Sequence, residues 1–157
     1  WNHVKHLIRH THFVRRACWA KGRYWQGLIH DWSKWLPVEF IPYARFFNGQ
    51  KNPRNSEGYY KSSNTGDIAF ELAFLHHIHT HPHHWQYWAI ADDNGGVDLK
   101  PMPHKYRLEM LCDWWGASMA TGFNGKIKTW YLANKDKMQL HLETRKWVET
   151  NISDNFV

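Results

Sequence analysis

Residues 28–35 read LIHDWSKW, a stretch that sets His30 and Asp31 side by side behind an apolar pair and follows them with Lys34. Charge pressed against a core is costly unless something compensates it, and a bound metal ion is one compensator. With an ion held by His30 and Asp31, the Lys34 ammonium, one turn beyond His30, could touch an anionic group on that ion. A surface pair between Lys34 and Asp31 is the plainer alternative.

Three further stretches offer ligands. HHIHTHPHHW, residues 76–85, puts six histidines in nine positions on both sides of Pro82. Protonated, they would repel one another, and they add little to packing, so metal coordination is the economical reading. His77, with His83 or His84 across the proline, is the candidate set, and the others are bystanders. EMLCDWW places Glu109 and Asp113 at i and i+4 on one helix face among Leu111, Cys112 and Trp114. In the first twenty residues His10 and His3 flank the apolar stripe, while His6 and His12 lie further round toward solvent; His10 is the better inward candidate. Histidine and carboxylate groups of this kind suit one or two divalent ions, with Mn, Fe, Mg, Co, Ni and Zn all admissible.

The elements that must bring them together read as helices. Apolar positions 4, 7, 8, 11, 14 and 18 keep helical spacing up to Gly22. Residues 24–35 predict a short helix, and LPVEFIPYARFF another, with Pro37 in its first turn and Pro42 kinking or splitting it. Residues 48–66 are rich in Asn, Gly and Ser and read as a long surface loop. A helix starting near Asp67 runs to Pro82, and a short one continues through HHWQYWAIA. After the loop DDNGGVDLKPMP, Pro103 opens a helix that ends near Gly122, and an amphipathic helix spans about 134–150. No stretch sustains the period-2 alternation of a strand, so the fold class expected is all-α.

Composition bounds the rest. At 157 residues the chain suits a single domain, with the site in about residues 1–122. Cys18 and Cys112 sit in apolar, helix-like stretches and read as small buried hydrophobes of a reducing compartment. No run approaches the ~20 apolar residues that cross a bilayer, and no leader opens the chain, so the expectation is a cytoplasmic protein with no membrane contact. The charge of +6 favours anionic partners such as nucleotides or nucleic acid, and the 11 tryptophans leave rings that could stack on a base.

The order His, His-Asp, Asp resembles the HD-domain superfamily of metal-dependent phosphohydrolases. HTHFV looks like its first motif, in which histidine precedes valine by four residues, and this points to His10 over His12. LIHDWSK looks like its second, trailing lysine included. Twenty positions separate His10 from His30, a short spacing for that superfamily that implies a truncated first loop. LIHDWSKWLPVEFIPYARFF, HHIHTHPHHWQYW and MPHKYRLEMLCDWWGA together also resemble an uncharacterised family frequent in phage and bacterial genomes, across about residues 1–122. The resemblance implies a compact helical bundle in which His10, His30, Asp31 and Asp113 bind one divalent ion. Some superfamily members bind a second with two added histidines, and His77 with His83 or His84 fall in the corresponding interval.

The reaction expected is hydrolysis of a phosphoester, taken to be a nucleotide or related small phosphorylated molecule. Lys34 would hold the phosphate, Asp31 would serve the chemistry through the metal, Glu109 would orient water or support a ligand, and Tyr59 and Tyr60 could cover a base. Two alternatives keep the ligands: a di-iron oxygenase, as in related proteins with the extra histidine pair, and a non-catalytic, metal-stabilised binding module of phage origin.

Overall fold

A computed structural model describes residues 2–49 and 62–157. Tyr59 and Tyr60 lie outside these, as does most of the loop expected over 48–66. Among the described residues there are seven α-helices and one two-stranded hairpin: α1 (Asn2–Ala20), α2 (Tyr24–Ile29), α3 (Pro37–Gly49), α4 (Ile68–Thr80), β1 (Ala89–Ala91), β2 (Val97–Leu99), α5 (His104–Thr121), α6 (Ile127–Asn134) and α7 (Leu142–Asn151). The protein is of the all-α class.

The centre of the fold is the pairing of α1 with α5, and α1 also packs against α2 and α3. Leu7, Val14, Ala17 and Cys18 form the buried stripe of α1. From α5 they meet Met110, Leu111, Cys112 and Trp115, a core that continues into Ile127 and Tyr131 of α6 and Val148 of α7. The crossing is close because Gly116 has no side chain: a Cβ there would lie 2.4 Å from Val14 Cγ2 and 2.8 Å from the Val14 backbone nitrogen. A second apolar cluster joins α3 to α4 through Tyr43, Phe46, Phe70 and Ala73, with the Phe46 and Phe70 rings stacked at 3.8 Å. The Asp67 side chain caps α4 by accepting from the Phe70 N–H. Cys18 and Cys112 are both free and buried.

Four local expectations need correction. The helix expected over 24–35 stops at Ile29: His30 leaves the helix at ψ 128°, Asp31 is left-handed at φ 55°, and Trp32–Trp35 form a 3-10 turn. Second, α3 runs unbroken through Pro42 to Gly49. The carbonyl that loses its donor belongs to Val38, itself an exposed residue, where water can replace the bond.

Third, residues 89–99 hold a hairpin in which Ala89 pairs with Leu99 and Ala91 with Val97. Its turn is built by the Asp92 carboxylate, which accepts from the Asn94 N–H at 3.0 Å, and by Gly95 at φ 85°. Three-residue strands are too short to display alternation. Fourth, the last helix starts at Leu142, not near 134, because Arg145 reaches back to the carbonyls of Met138 and Lys135 and fixes an extended break there. Residues 127–134 form their own helix, whose first N–H groups are capped by Asp154.

Candidate metal centre

The break after Ile29 is what builds the site. On a continuous helix His30 and Asp31 would point about 100° apart. The left-handed step at Asp31 instead buries its carboxylate among side chains from four other elements. Its two oxygens face different groups. Asp31 Oδ2 lies 3.2 Å from His10 Nε2 and 3.4 Å from His30 Nε2, and Asp113 Oδ1 completes that group at 3.2 Å from His10 Nε2 and 3.3 Å from His30 Nε2. Asp31 Oδ1 lies 3.3 Å from His77 Nε2 and 3.4 Å from His83 Nε2, and His84 Nε2 is 2.9 Å from His77 Nε2. Two four-residue sets result, His10, His30, Asp31, Asp113 and Asp31, His77, His83, His84, each with its donor atoms within 4.8 Å of one another.

These residues suit divalent cations. His30 Nε2, His83 Nε2 and Asp31 Oδ1 are buried and have no hydrogen-bond partner, and all three point into this cluster. Unpaired buried donors and acceptors are expensive, and a cation among them would satisfy them together. Electrostatics point the same way. Burial opposes ionisation of Asp31, but His30, Lys34 and His77 outweigh it and hold the carboxyl well below its ordinary range. Burial likewise opposes the charge on Asp113, and the adjacent His10 and His30 imidazoles override it. For His30 the balance falls the other way round: burial disfavours the imidazolium, yet Asp31, Asp113 and Glu109 raise its pKa well above normal. His84 is kept neutral by burial and by neighbouring His83 and His77, the state a ligand needs.

Behind the imidazoles lies a ring of supports. Glu109 Oε1 is 3.3 Å from His30 Nδ1 and 3.3 Å from His83 Nδ1, the ring nitrogens facing away from the cluster. Burial would raise the Glu109 pKa, but those two imidazoles pull it down to about 2. Glu39, fully buried on α3, accepts from His77 Nδ1 at 2.9 Å and His76 Nδ1 at 2.7 Å. Ser33 Oγ sits 2.6 Å from His81 Nε2. Carboxylates behind metal-ligating histidines fix the tautomer and aim the ring.

Every described candidate of the sequence reading except Glu109 faces the cluster or its approach. His10, His30, Asp31, His77, His83, His84 and Asp113 converge, and both His83 and His84 are present where one of them was expected. Lys34 contacts Asp31 Oδ2 at 2.5 Å, half-buried and not on an open surface. Glu109 stands behind the rings, where it can support ligands. His79 is exposed, and His76 and His81 serve Glu39 and Ser33. Sequence reasoning missed Glu39 and Ser33. A single acid inside LPVEFIPY was the available signal for the first; nothing marked the second.

A cavity of about 430 Å³ opens onto this cluster, with His10, His77, His83, His84 and Asp113 in its lining. Lys34 lines it too, and aromatic walls follow from Trp85, Trp114 and Trp130. Among the described residues no helix is long and apolar enough to cross a membrane. Residues 1–154 match a family described as "Family of unknown function (DUF5662)". No curated protein and no solved structure matches the chain.

Proposed function

We propose, for a chain that belongs to the DUF5662 family of unknown function, that it is a metal-dependent hydrolase of a phosphoester, a nucleotide or related small phosphorylated molecule. The observation that carries this reading is the division of Asp31, one oxygen toward His10 and His30 and the other toward His77 and His83. Ions held by these two sets, which share Asp31, would supply the paired-metal chemistry suited to in-line displacement at phosphorus. The match of His10, His30, Asp31 and Asp113 to the HD-domain motif order supports it. Five imidazoles against two carboxylates favour Mn, Fe, Co, Ni or Zn over Mg, which prefers oxygen.

Such ions, when bound, polarise a phosphoryl group and lower the pKa of a bound water toward ~7. The chain's own residues supply the rest. His10 and Asp113 line the cavity and leave one side of the ligand set open to a substrate. Lys34, beside Asp31 Oδ2, is positioned to take a phosphate oxygen. Glu109 and Glu39 hold the imidazoles in the tautomer that presents Nε2. A cavity opening on the ligands favours catalysis over a closed structural site.

The nitrogen-rich set keeps one second reading in play, iron with dioxygen chemistry; iron content together with a visible absorption band identifies it. The test begins with elemental analysis of protein purified without added metal, followed by a phosphoester screen in the metal found. Lys34→Ala should keep its metal and its fold and lose about 10- to 1000-fold in turnover. A metal-replete wild-type protein that cleaves no phosphoester overturns the hydrolase reading; wild-type turnover in Lys34→Ala removes Lys34 from the site.

A further inference from the structure

We propose that the face formed by residues 19–36 docks on an anionic lipid bilayer, with its indole and aliphatic side chains among the headgroups and the basic residues around them on acidic lipids. The inference goes beyond the function proposed above and does not rest on it.

The first observation is a segment built inside out. From Tyr24 to Leu36 the buried residues are Gly27, His30, Asp31 and Ser33, all small or polar, while every large apolar residue is exposed, Trp25 most of all at 77%. The cause is local. The Gly27 side of α2 is pressed onto α1, where an added Cβ would stand 3.0 Å from Cys18 Cβ, so Trp25 and Ile29, one turn apart, project from the opposite side. Beyond the inward turn of His30 and Asp31, Trp32 and Trp35 stand three positions apart in a 3-10 turn, the spacing at which side chains eclipse. Trp19, at the end of α1, joins the face with its ring 6.3 Å from that of Tyr24. Apolar groups turned outward along a whole segment mark a partner surface.

The second observation is charge. Residues 1–49 carry eight lysines and arginines against two acids, Asp31 and Glu39, both fully buried, whereas residues 50–157 carry twelve of each sign. The net charge of +6 therefore belongs to the part of the chain that bears the apolar face, and no side-chain carboxylate is exposed there. The Arg15 guanidinium lies 5.6 Å from the centre of the Trp19 ring, and Arg16 and Lys21 are exposed on either side of Trp19 in sequence.

Charge and apolarity together choose the occupant. A second copy of the face would bring two cationic rims together with no acid to answer them. A nucleic acid would satisfy the arginines and stack on the indoles, but Leu28, Ile29 and Leu36 have no role on a polyanion. An anionic bilayer takes all three kinds of side chain: aromatic rings settle at the headgroup level, aliphatic groups reach the acyl boundary, and basic groups meet acidic headgroups. With only six residues in α2, the face lies on the bilayer and not across it.

Flotation of the protein with phosphatidylcholine vesicles, with and without phosphatidylserine, tests this. The wild type should bind the phosphatidylserine vesicles about 10-fold or more tighter than the neutral ones, and added salt should weaken that preference. The double variant Trp25→Ser, Ile29→Ser should weaken binding by about 10-fold or more, and Arg15→Glu, Arg16→Glu should remove the preference for phosphatidylserine. None of the four is a candidate metal ligand, so metal content and helical signal should match the wild type. Trp25→Ser alone serves if the double variant folds poorly. No preference for phosphatidylserine vesicles in the wild type, or binding that survives the Trp25 substitution, overturns the proposal. A wild-type dimer that Trp25→Ser dissociates would give the face to a second copy. Retention on oligo(dT) that is lost in the same variant, with vesicle binding unchanged, would give it to nucleic acid, and either result overturns the bilayer assignment.

Discussion

At the scale of single residues, the two glutamates behind the histidines are not equivalent. Glu109 Oε1 meets His30 Nδ1 and His83 Nδ1, one imidazole from each ligand set, whereas Glu39 meets only His77 among the candidate ligands. Losing the Glu109 charge should therefore loosen both ions, and losing the Glu39 charge should loosen one. Supports of this kind are worth about 10- to 100-fold in metal affinity. Metal titration of Glu109→Gln should show both sites weakened, and Glu39→Gln a single weakened site beside an intact one. Identical profiles for the two variants would break the assignment of one carboxylate to both sets. The candidate ligands were legible because histidines crowd the 76–84 stretch and because His30–Asp31 sits against apolar neighbours. Their supports were not: Glu39 is 38 positions from His77, and only the turn of α3 toward α4 reveals why an acid is buried there.

At the scale of elements, the site depends on how closely α1 and α5 cross. His10 stands one turn before Val14 on α1, and Asp113 stands three residues before Gly116 on α5, so the contact between His10 and Asp113 at 3.2 Å is one turn from the point where the helices touch. Gly116→Ala should gain about 1 kcal/mol from helix propensity. Against that, the new Cβ would meet both a side chain and a backbone nitrogen, and forced overpacking costs about 1–3 kcal/mol. The clash should win, lowering the melting temperature and weakening the ion held by His10 and Asp113 before the one held by His77 and His84. Unchanged stability and unchanged metal content would show that the crossing does not set the site. Apolar spacing made α1, α4 and α5 readable, since each buries a stripe. The break at Asp31 was hidden, because a left-handed aspartate is stabilised by partners 21 and 46 positions away, His10 and His77, that no local pattern announces. The 89–99 hairpin announced itself only through Asn94-Gly95-Gly96, and its strands were too brief to add a pattern.

At the scale of the whole molecule, the candidate ligands run from His10 to Asp113 and come from α1, the 30–31 turn, α4, the 83–84 turn and α5. An ion that binds them fastens most of the fold, and binding to the folded state alone stabilises it by about 2.7 kcal/mol at 100-fold excess over the dissociation constant. For a chain of this length that is roughly 5–10 °C in melting temperature. The size of the gain depends on pH through the protons the ions displace. Burial disfavours charge on His30 and His83, yet the surrounding carboxylates raise both pKa values. A histidine raised in the folded state contributes stability in full below its ordinary value of about 6.5 and loses that contribution as pH rises through the raised value. The stripped protein suffers that loss, while the loaded protein, whose imidazoles hold metal in place of protons, does not. Asp31 and Asp113, both depressed, keep their contribution across this whole window and lose it only as pH falls below the ordinary carboxylate range. Thermal scans of chelator-treated and metal-loaded protein at about pH 6 and about pH 8 should therefore show the loaded form melting higher at both, with the wider gap at the higher pH. A gap that is absent, or that narrows as pH rises, would mean that protons and metal do not compete for His30 and His83.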